Sequence, residues 1–370
     1  MALLTELKIL DLTRVLAGPL ATMLLGDLGA DVNKVERPGC GDDTRGWGPP
    51  FDARGEAAYF LSVNRNKRSI ALDFRQPDDR RLLQRLVSQA DVVVDNFLPG
   101  VVEAAGLDIP ACLAAHSHLV WCTITGFGAE SRRPGYDFVV QAEQGWMAIT
   151  GEPGGTAMKH GVALADVVAG KDAAIAITAA VAAVARAARR GATVPADERR
   201  IVISLAASAA AALVNVAQNV LVSGREAARW GNAHANLVPY QLFEAADRPF
   251  VIAVGTDAQW PAAARALGLP DLAADPSLAT NAGRLASRDR VVTAIATAAR
   301  TASAAAWCER LEAVRVPCGV VRSVTDMLAA TSASPLTGLP SPVGGDVRRP
   351  PPRLDEHGAE IRSAGGWSQT

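Results

Sequence analysis

A chain of 370 residues, 49% hydrophobic and 20% charged, with a formal net charge of −1, can bury a large core and form two domains. It has no Lys/Arg block and no aromatic–basic interleaving, so nucleic acid is not an expected partner. The five cysteines are scattered, form no CxxC and stand at no zinc-ligand spacing to the five histidines, so neither a disulfide framework nor a metal site is expected; reduced thiols in a cytoplasmic compartment are.

No basic stretch precedes an apolar run at the N-terminus, so no signal peptide is expected. Residues 7–12 read as a strand, 18–28 as a helix with apolar residues at Leu20, Met23, Leu24 and Leu28, and 31–36 as a second strand. Residues 69–74, 91–97 and 119–125 read as further strands, with a helix near 78–89. Strands separated by helices of this length imply an α/β class, with a Rossmann-like large domain around a mostly parallel sheet. Ligands of such sheets gather at the carboxyl ends of the strands. Next, an apolar segment runs into Asp166, ahead of small residues and a long Ala-rich helix. At a helix mouth, free N–H groups and the dipole would keep that carboxylate ionised, fit to attack an activated carbonyl; the plainer role is an N-cap. Residues 201–222 resemble a membrane span, but Ser204, Ser208, Asn215, Gln218 and Asn219 argue for a buried helix, and no membrane association is expected. From about Trp230 the pattern becomes that of a smaller α+β domain, with a strand at 250–254 and helices at 258–267, 288–299 and 304–313. The Pro- and Gly-rich tail from Ser332 reads as an extended segment returning over the surface. The expected division is 1–200, 201–229 as a helical connection, 230–328 as the small domain, and 329–370 as a tail returning to the large domain.

The order and spacing of several motifs resemble the class III CoA transferases, the superfamily of formyl-CoA transferase, carnitine CoA-transferase and the α-methylacyl-CoA racemases. They include Arg14-Val-Leu-Ala-Gly-Pro, Leu25-Gly-Asp-Leu-Gly-Ala-Asp, Gly41-Asp-Asp-Thr-Arg, Asn64-Arg-Asn-Lys-Arg-Ser, Pro134-Gly-Tyr-Asp, Gly161-Val-Ala-Leu-Ala-Asp and Gly231-Asn-Ala-His. The resemblance implies coenzyme A handled as an acyl-CoA substrate, a carboxylic acid acceptor, no metal, and an interlocked homodimer. It implies that Asp166 is the nucleophile, forming mixed anhydrides and an aspartyl-CoA thioester. Tyr136 and Asp137 match a Tyr–acid pair lining the active site. Arg37 and Lys67 or Arg68 become candidates for the CoA phosphates, Asn96 for the CoA arm, and Leu16, Ala17 and Lys159 complete the CoA-binding set. His234 and Asn236 sit on a loop that would act on the substrate from the partner chain. Succinyl-CoA as donor follows only from family habit.

Some positions depart from the pattern. Leu16 stands where formyl-CoA transferase has a Gln that stabilises the anhydrides, an oxyanion donor of a kind worth ~3 kcal/mol. The Gly231 region lacks that enzyme's run of glycines, so a less mobile loop is expected. Two other readings share the fold. A racemase needs two bases at the α-carbon, and a Tyr136 phenol with a pKa of about 10 is a poor one. A non-catalytic CoA-binding subunit of a heteromeric transferase is argued against by the presence of Asp166. A dinucleotide-binding oxidoreductase would need a GxGxxG that the first βα turn lacks.

Overall fold

Short runs rich in Val and Ile, each followed by a turn and a helix, build a six-stranded sheet in the computed structural model, which describes residues 2–367. The strands are β1 (Lys8–Asp11), β2 (Asp31–Glu36), β3 (Lys67–Ala71), β4 (Val92–Asp95), β5 (Val120–Thr125) and β6 (Arg200–Ser204). All pair in parallel, in the order β3-β2-β1-β4-β5-β6. This is a doubly wound sheet whose strand order reverses between β1 and β4, so a crevice opens there at the carboxyl ends.

Both faces are covered, which is why the central strands read as nearly unbroken apolar runs. Leu10, Val93 and Trp121 pack under helix α2 (Pro77–Gln89), whose Leu82, Leu83 and Leu86 recur at helical spacing. Ile9, Val92, Val94 and Cys122 pack on the opposite face under α1 (Ala17–Asp27) and a 25-residue helix. That helix, α4 (Leu164–Ala188), follows the shorter α3 (Asp137–Glu143). A Cβ at Gly170 would lie 2.6 Å from the Ala17 carbonyl oxygen. Only glycine allows α1 and α4 to meet so closely, and the contact sets Asp166, one turn earlier on α4, beside the start of α1.

This larger unit comprises residues 2–147, 159–225 and 331–367. Its last segment runs along edge strand β3: Arg348 and Arg349 both donate their N–H groups to Asn66 Oδ1, and Asp355 Oδ1 accepts the Ala71 N–H at 2.8 Å. The second unit comprises 148–158 and 226–330, so 148–158 groups with the smaller unit rather than with the large one. It holds an antiparallel sheet, β7 (Tyr240–Glu244), β8 (Pro249–Ala253) and β9 (Cys318–Val320), over a core that includes Phe250, Trp260, Ile295 and Trp307.

The expectation of a buried helix over 201–222 is overturned. Its first four residues belong to edge strand β6, and the rest breaks into Leu205–Ala211 and Val214–Ser223, bent by 68°. Val214–Ser223 buries no residue, and Leu221 and Val222 are more than three-quarters exposed. Its apolar residues therefore do not mark a core stripe. Among the described residues, Leu164–Ala188 is by length and composition long and apolar enough to cross a membrane, with 22% of its most apolar stretch buried; the bent pair meets the same criterion jointly.

Candidate active site

A buried polar cluster shapes the turn after β1. Lys67 Nζ reaches Asp11 Oδ2 at 2.9 Å, and Lys34 Nζ reaches Asp42 at 2.9 Å, with all four side chains fully buried. Lys34 also donates to the Thr13 carbonyl at 2.8 Å, and Asp42 Oδ1 accepts the Val15 N–H at 3.2 Å. These bonds hold Val15 at φ 72°, a left-handed conformation that costs a β-branched residue energy and persists only when its surroundings fix it. Leu16 then starts α1, with no side chain capping the first turn. The opening N–H groups of α1 are left free at the sheet's carboxyl edge.

Asp166 faces that turn. It is the third residue of α4 and 8% exposed. It is not the cap: α4 begins after Ala163, and Asp137 supplies the missing acceptor from another element. Asp137 Oδ1 takes the Ala165 N–H at 2.8 Å and the Asp166 N–H at 3.4 Å, while Oδ2 takes the Gln141 amide at 2.7 Å. The expectation that the helix mouth keeps Asp166 firmly ionised is therefore corrected. Burial first, and the Asp137 charge second, push its pKa up to about 7, because removing the carboxylate from water and placing a like charge nearby both favour the neutral form. Asp137 itself caps the first turn of α4 and lines neither cavity. Tyr59, which no spacing in the sequence singles out, shares this neighbourhood. Burial, then the charges of Asp166, Asp137 and Asp42, raise its phenol to about 12, so it stays a proton donor at all ordinary pH values.

Asp166 lines a cavity of about 550 Å³ together with Arg14, Leu16, Ala17, Asn96, Tyr136 and Arg200. A Cβ on Gly126 or on Gly135 would each fall within 2.4 Å of the other glycine's Cα. The two backbones touch, and this pins the loop that presents Tyr136 to the end of β5. A second cavity of about 620 Å³ is lined by Arg37, Arg75, Leu72 and Phe74. Arg14, Phe97 and Leu98 form walls of both, so one groove runs along the carboxyl edge from Arg37 to Asp166.

Of the remaining sequence-predicted residues, Arg37 is half-exposed on that groove and pairs with Asp43, which also holds Arg14. Asn96 lines the cavity, but its side chain is spent on the Arg14 backbone, accepting the N–H at 3.0 Å and donating to the carbonyl at 2.7 Å. Lys67 and Arg68 are corrected. Lys67 is wholly buried on Asp11, Pro19 and Asn64, and Arg68 is 4% exposed and pairs with Glu360 at 2.7 Å. Lys67 cannot meet a phosphate without breaking a buried pair, and Arg68 cannot without giving up its ion pair to the half-exposed Glu360. Lys159 is exposed, donates to the His160 carbonyl at 3.2 Å and lines neither cavity. In the smaller unit, His234 Nδ1 accepts the Asn236 N–H at 2.9 Å, and Arg288 grips the carbonyls of His234 and Ala235. The loop is held by side chains, without a glycine run. Among the described residues no cluster of three His, Cys, Asp or Glu could hold a metal ion.

A groove at the carboxyl edge of a doubly wound sheet, with a buried carboxylate against a free helix start, is the ligand site of an α/β protein of the doubly wound class. The model of CoA-transferase family III matches residues 4–358, and the chain belongs to that family. It is 38% identical to the succinyl-CoA:glutarate CoA-transferase of Mus musculus, over 97% of this chain and 85% of that one. It is 37% identical to the succinate–glutarate CoA-transferase of Agrobacterium fabrum, over 97% of this chain and 94% of that one. The crystal structure of a CaiB/BaiF family protein from Brucella suis superposes with a TM-score of 0.84 at 39% identity, covering 98% of this chain and 99% of that one.

Proposed function

We propose that this chain moves CoA from a donor acyl-CoA to a carboxylic acid acceptor through covalent adducts on Asp166. The observation that carries this reading is the placement of Asp166, buried in the cavity wall with the uncapped start of α1 lining the same space. The ionised carboxylate adds to the thioester carbonyl, the C–S bond breaks, and a mixed anhydride and CoA thiolate result. The thiolate then attacks the aspartyl carbonyl, releasing the donor acid and leaving an aspartyl-CoA thioester. The acceptor carboxylate displaces the thiolate to form a second anhydride. The thiolate finally attacks the acceptor's acyl carbon, forming the new acyl-CoA and freeing Asp166. Each step develops an oxyanion, and the opening N–H groups of α1 supply donors where Leu16 cannot. Tyr59 and Tyr136 add hydroxyls to the same surroundings. The groove from Arg37 to Asp166 would take CoA with Arg37 toward the phosphates and the Leu72 and Phe74 side of the second cavity toward the base. The succinyl-CoA:glutarate and succinate–glutarate activities for which the relatives are named support succinyl-CoA as donor and glutarate as acceptor.

The exposed apolar residues Ile175, Leu221 and Val222 favour the family's interlocked homodimer as part of this reading, and sedimentation as a monomer would remove it. The test of the chemistry is trapping. Protein incubated with succinyl-CoA or glutaryl-CoA and quenched with hydroxylamine should carry a hydroxamate on the Asp166 peptide, and Asp166→Ala should lose transfer. Full transfer by that variant, or a hydroxamate elsewhere, would refute the assignment.

A further inference from the structure

The cavity that holds Asp166 extends past Thr123 to the first residue of β6, where its wall carries a cation the reaction above does not use. Arg200 stands in register with Trp121 of β5, so its side chain shares the face of Trp121 and Thr123. Its Nη1 donates to Thr123 Oγ1 at 2.7 Å, one of the five N–H donors a guanidinium offers. The carboxylate nearest to it is occupied by others: Asp95 accepts from Trp121 Nε1 at 2.8 Å, Thr123 Oγ1 at 2.5 Å and the Phe97 N–H at 3.1 Å. The other two arginines of the wall are committed, Arg14 to Asp43 and Arg133 to Glu143. Among the described residues Arg200 has no ion pair. Asp95, one hydrogen bond away through Thr123, and Glu103 act on this partly buried guanidinium without pairing with it, so most of its donors are unspent and open on the reaction cavity, free to take a further anion.

Building on the transferase reading, we propose that Arg200 receives the second carboxylate of a short dicarboxylic substrate while the first reacts at Asp166. The planar fork of arginine matches a carboxylate with two parallel hydrogen bonds. An unbranched monocarboxylate of equal length would leave the unspent donors of this guanidinium without a partner in the cavity wall, and this is a basis for rejection. Arg200 is then a specificity residue, and Thr123, which holds one Nη1 hydrogen, sets the direction of the fork.

The experiment compares kcat/KM for glutarate, pentanoate and glutarate monomethyl ester with one donor, in wild type, Arg200→Gln and Arg200→Lys. Using ratios between acceptors cancels the donor and the amount of folded enzyme. Wild type should favour glutarate, and in Arg200→Gln the glutarate-to-pentanoate ratio should fall about 30- to 100-fold, the loss expected for hydrogen bonds to a charged group. Arg200→Lys, keeping the charge without the fork, should fall between the two. An unchanged ratio in Arg200→Gln overturns the proposal while leaving the transferase reading intact. If Arg200→Gln does not fold, an unchanged ratio in Arg200→Lys or a wild-type ratio near one does the same. Wild type that transfers CoA to no acceptor from any donor overturns both readings.

Discussion

Replacing Asp166 by asparagine tests the electrostatics of the site without depending on any substrate. In the folded chain the Asp166 carboxyl holds its proton up to a pH of about 7, against an ordinary value of 3.8. Between those values the folded state binds more protons than the unfolded one, so stability falls as pH rises through the window. At about 1.4 kcal/mol per pH unit the fall attributable to this one group is about 4 kcal/mol. An asparagine side chain cannot ionise, and the other titrating groups are common to both proteins. The stability of Asp166→Asn relative to wild type should therefore climb by up to about 4 kcal/mol between pH 4 and pH 8, then level off. Urea unfolding followed by circular dichroism at half-unit steps of pH measures this. Adding Asp137→Asn to wild type should shrink the climb without abolishing it, since burial outweighs the Asp137 charge. The same ionisation should appear as a limb near pH 7 in kcat/KM, rising with pH and moving lower in Asp137→Asn. A stability difference that stays flat from pH 4 to 8 would refute the reasoning.

Three further outcomes are expected. Lys67→Met should cost about 3–5 kcal/mol of stability by leaving Asp11 buried and unpaired, yet leave the KM for acyl-CoA unchanged; a raised KM would return Lys67 to the CoA site. Arg37→Ala should raise that KM about tenfold with a smaller effect on kcat, the weight of one charge-assisted contact, and steady-state kinetics at fixed ionic strength would check it. Gly170→Ala should destabilise by about 1–3 kcal/mol, because its Cβ must push the Ala17 carbonyl away; in the proposed mechanism kcat should drop as well, since the same shift moves the α1 N–H groups off Asp166. Wild-type stability and kcat in this variant would show that the α1–α4 contact has slack.

The strands and helices of the larger unit could be read because each carries its own signal, as with β2 at 31–36, and in the smaller unit the helices at 288–299 and 304–313 likewise fall at the expected residues. The sheet class followed from the alternation of strand and helix. Burial of individual charges could not be read. Nothing local distinguishes Lys67, which ends its chain on Asp11 inside the protein, from Arg37, six residues before its ion-pair partner Asp43 at the surface. The distinction arises only when β1, β2 and β3 are laid side by side. Asp166 stood out by position, but its acidity depends on Asp137, 29 residues earlier in the chain. No feature of the sequence singled out Arg200, and only pairing with β5 turns it into a cavity wall. The 201–222 stretch misled because apolar composition alone does not say whether a neighbour exists to cover it.

The capping of α4 by Asp137 ties two jobs to one stretch of backbone. Tyr136 belongs to the wall of the cavity, and the very next residue carries the charge that helps set whether Asp166 is ionised. A group that wedges Tyr136 outward would drag that charge with it and loosen the first turn of the helix bearing Asp166. In the proposed mechanism, occupancy of the cavity and readiness of Asp166 to attack are thus geared together through a single peptide bond.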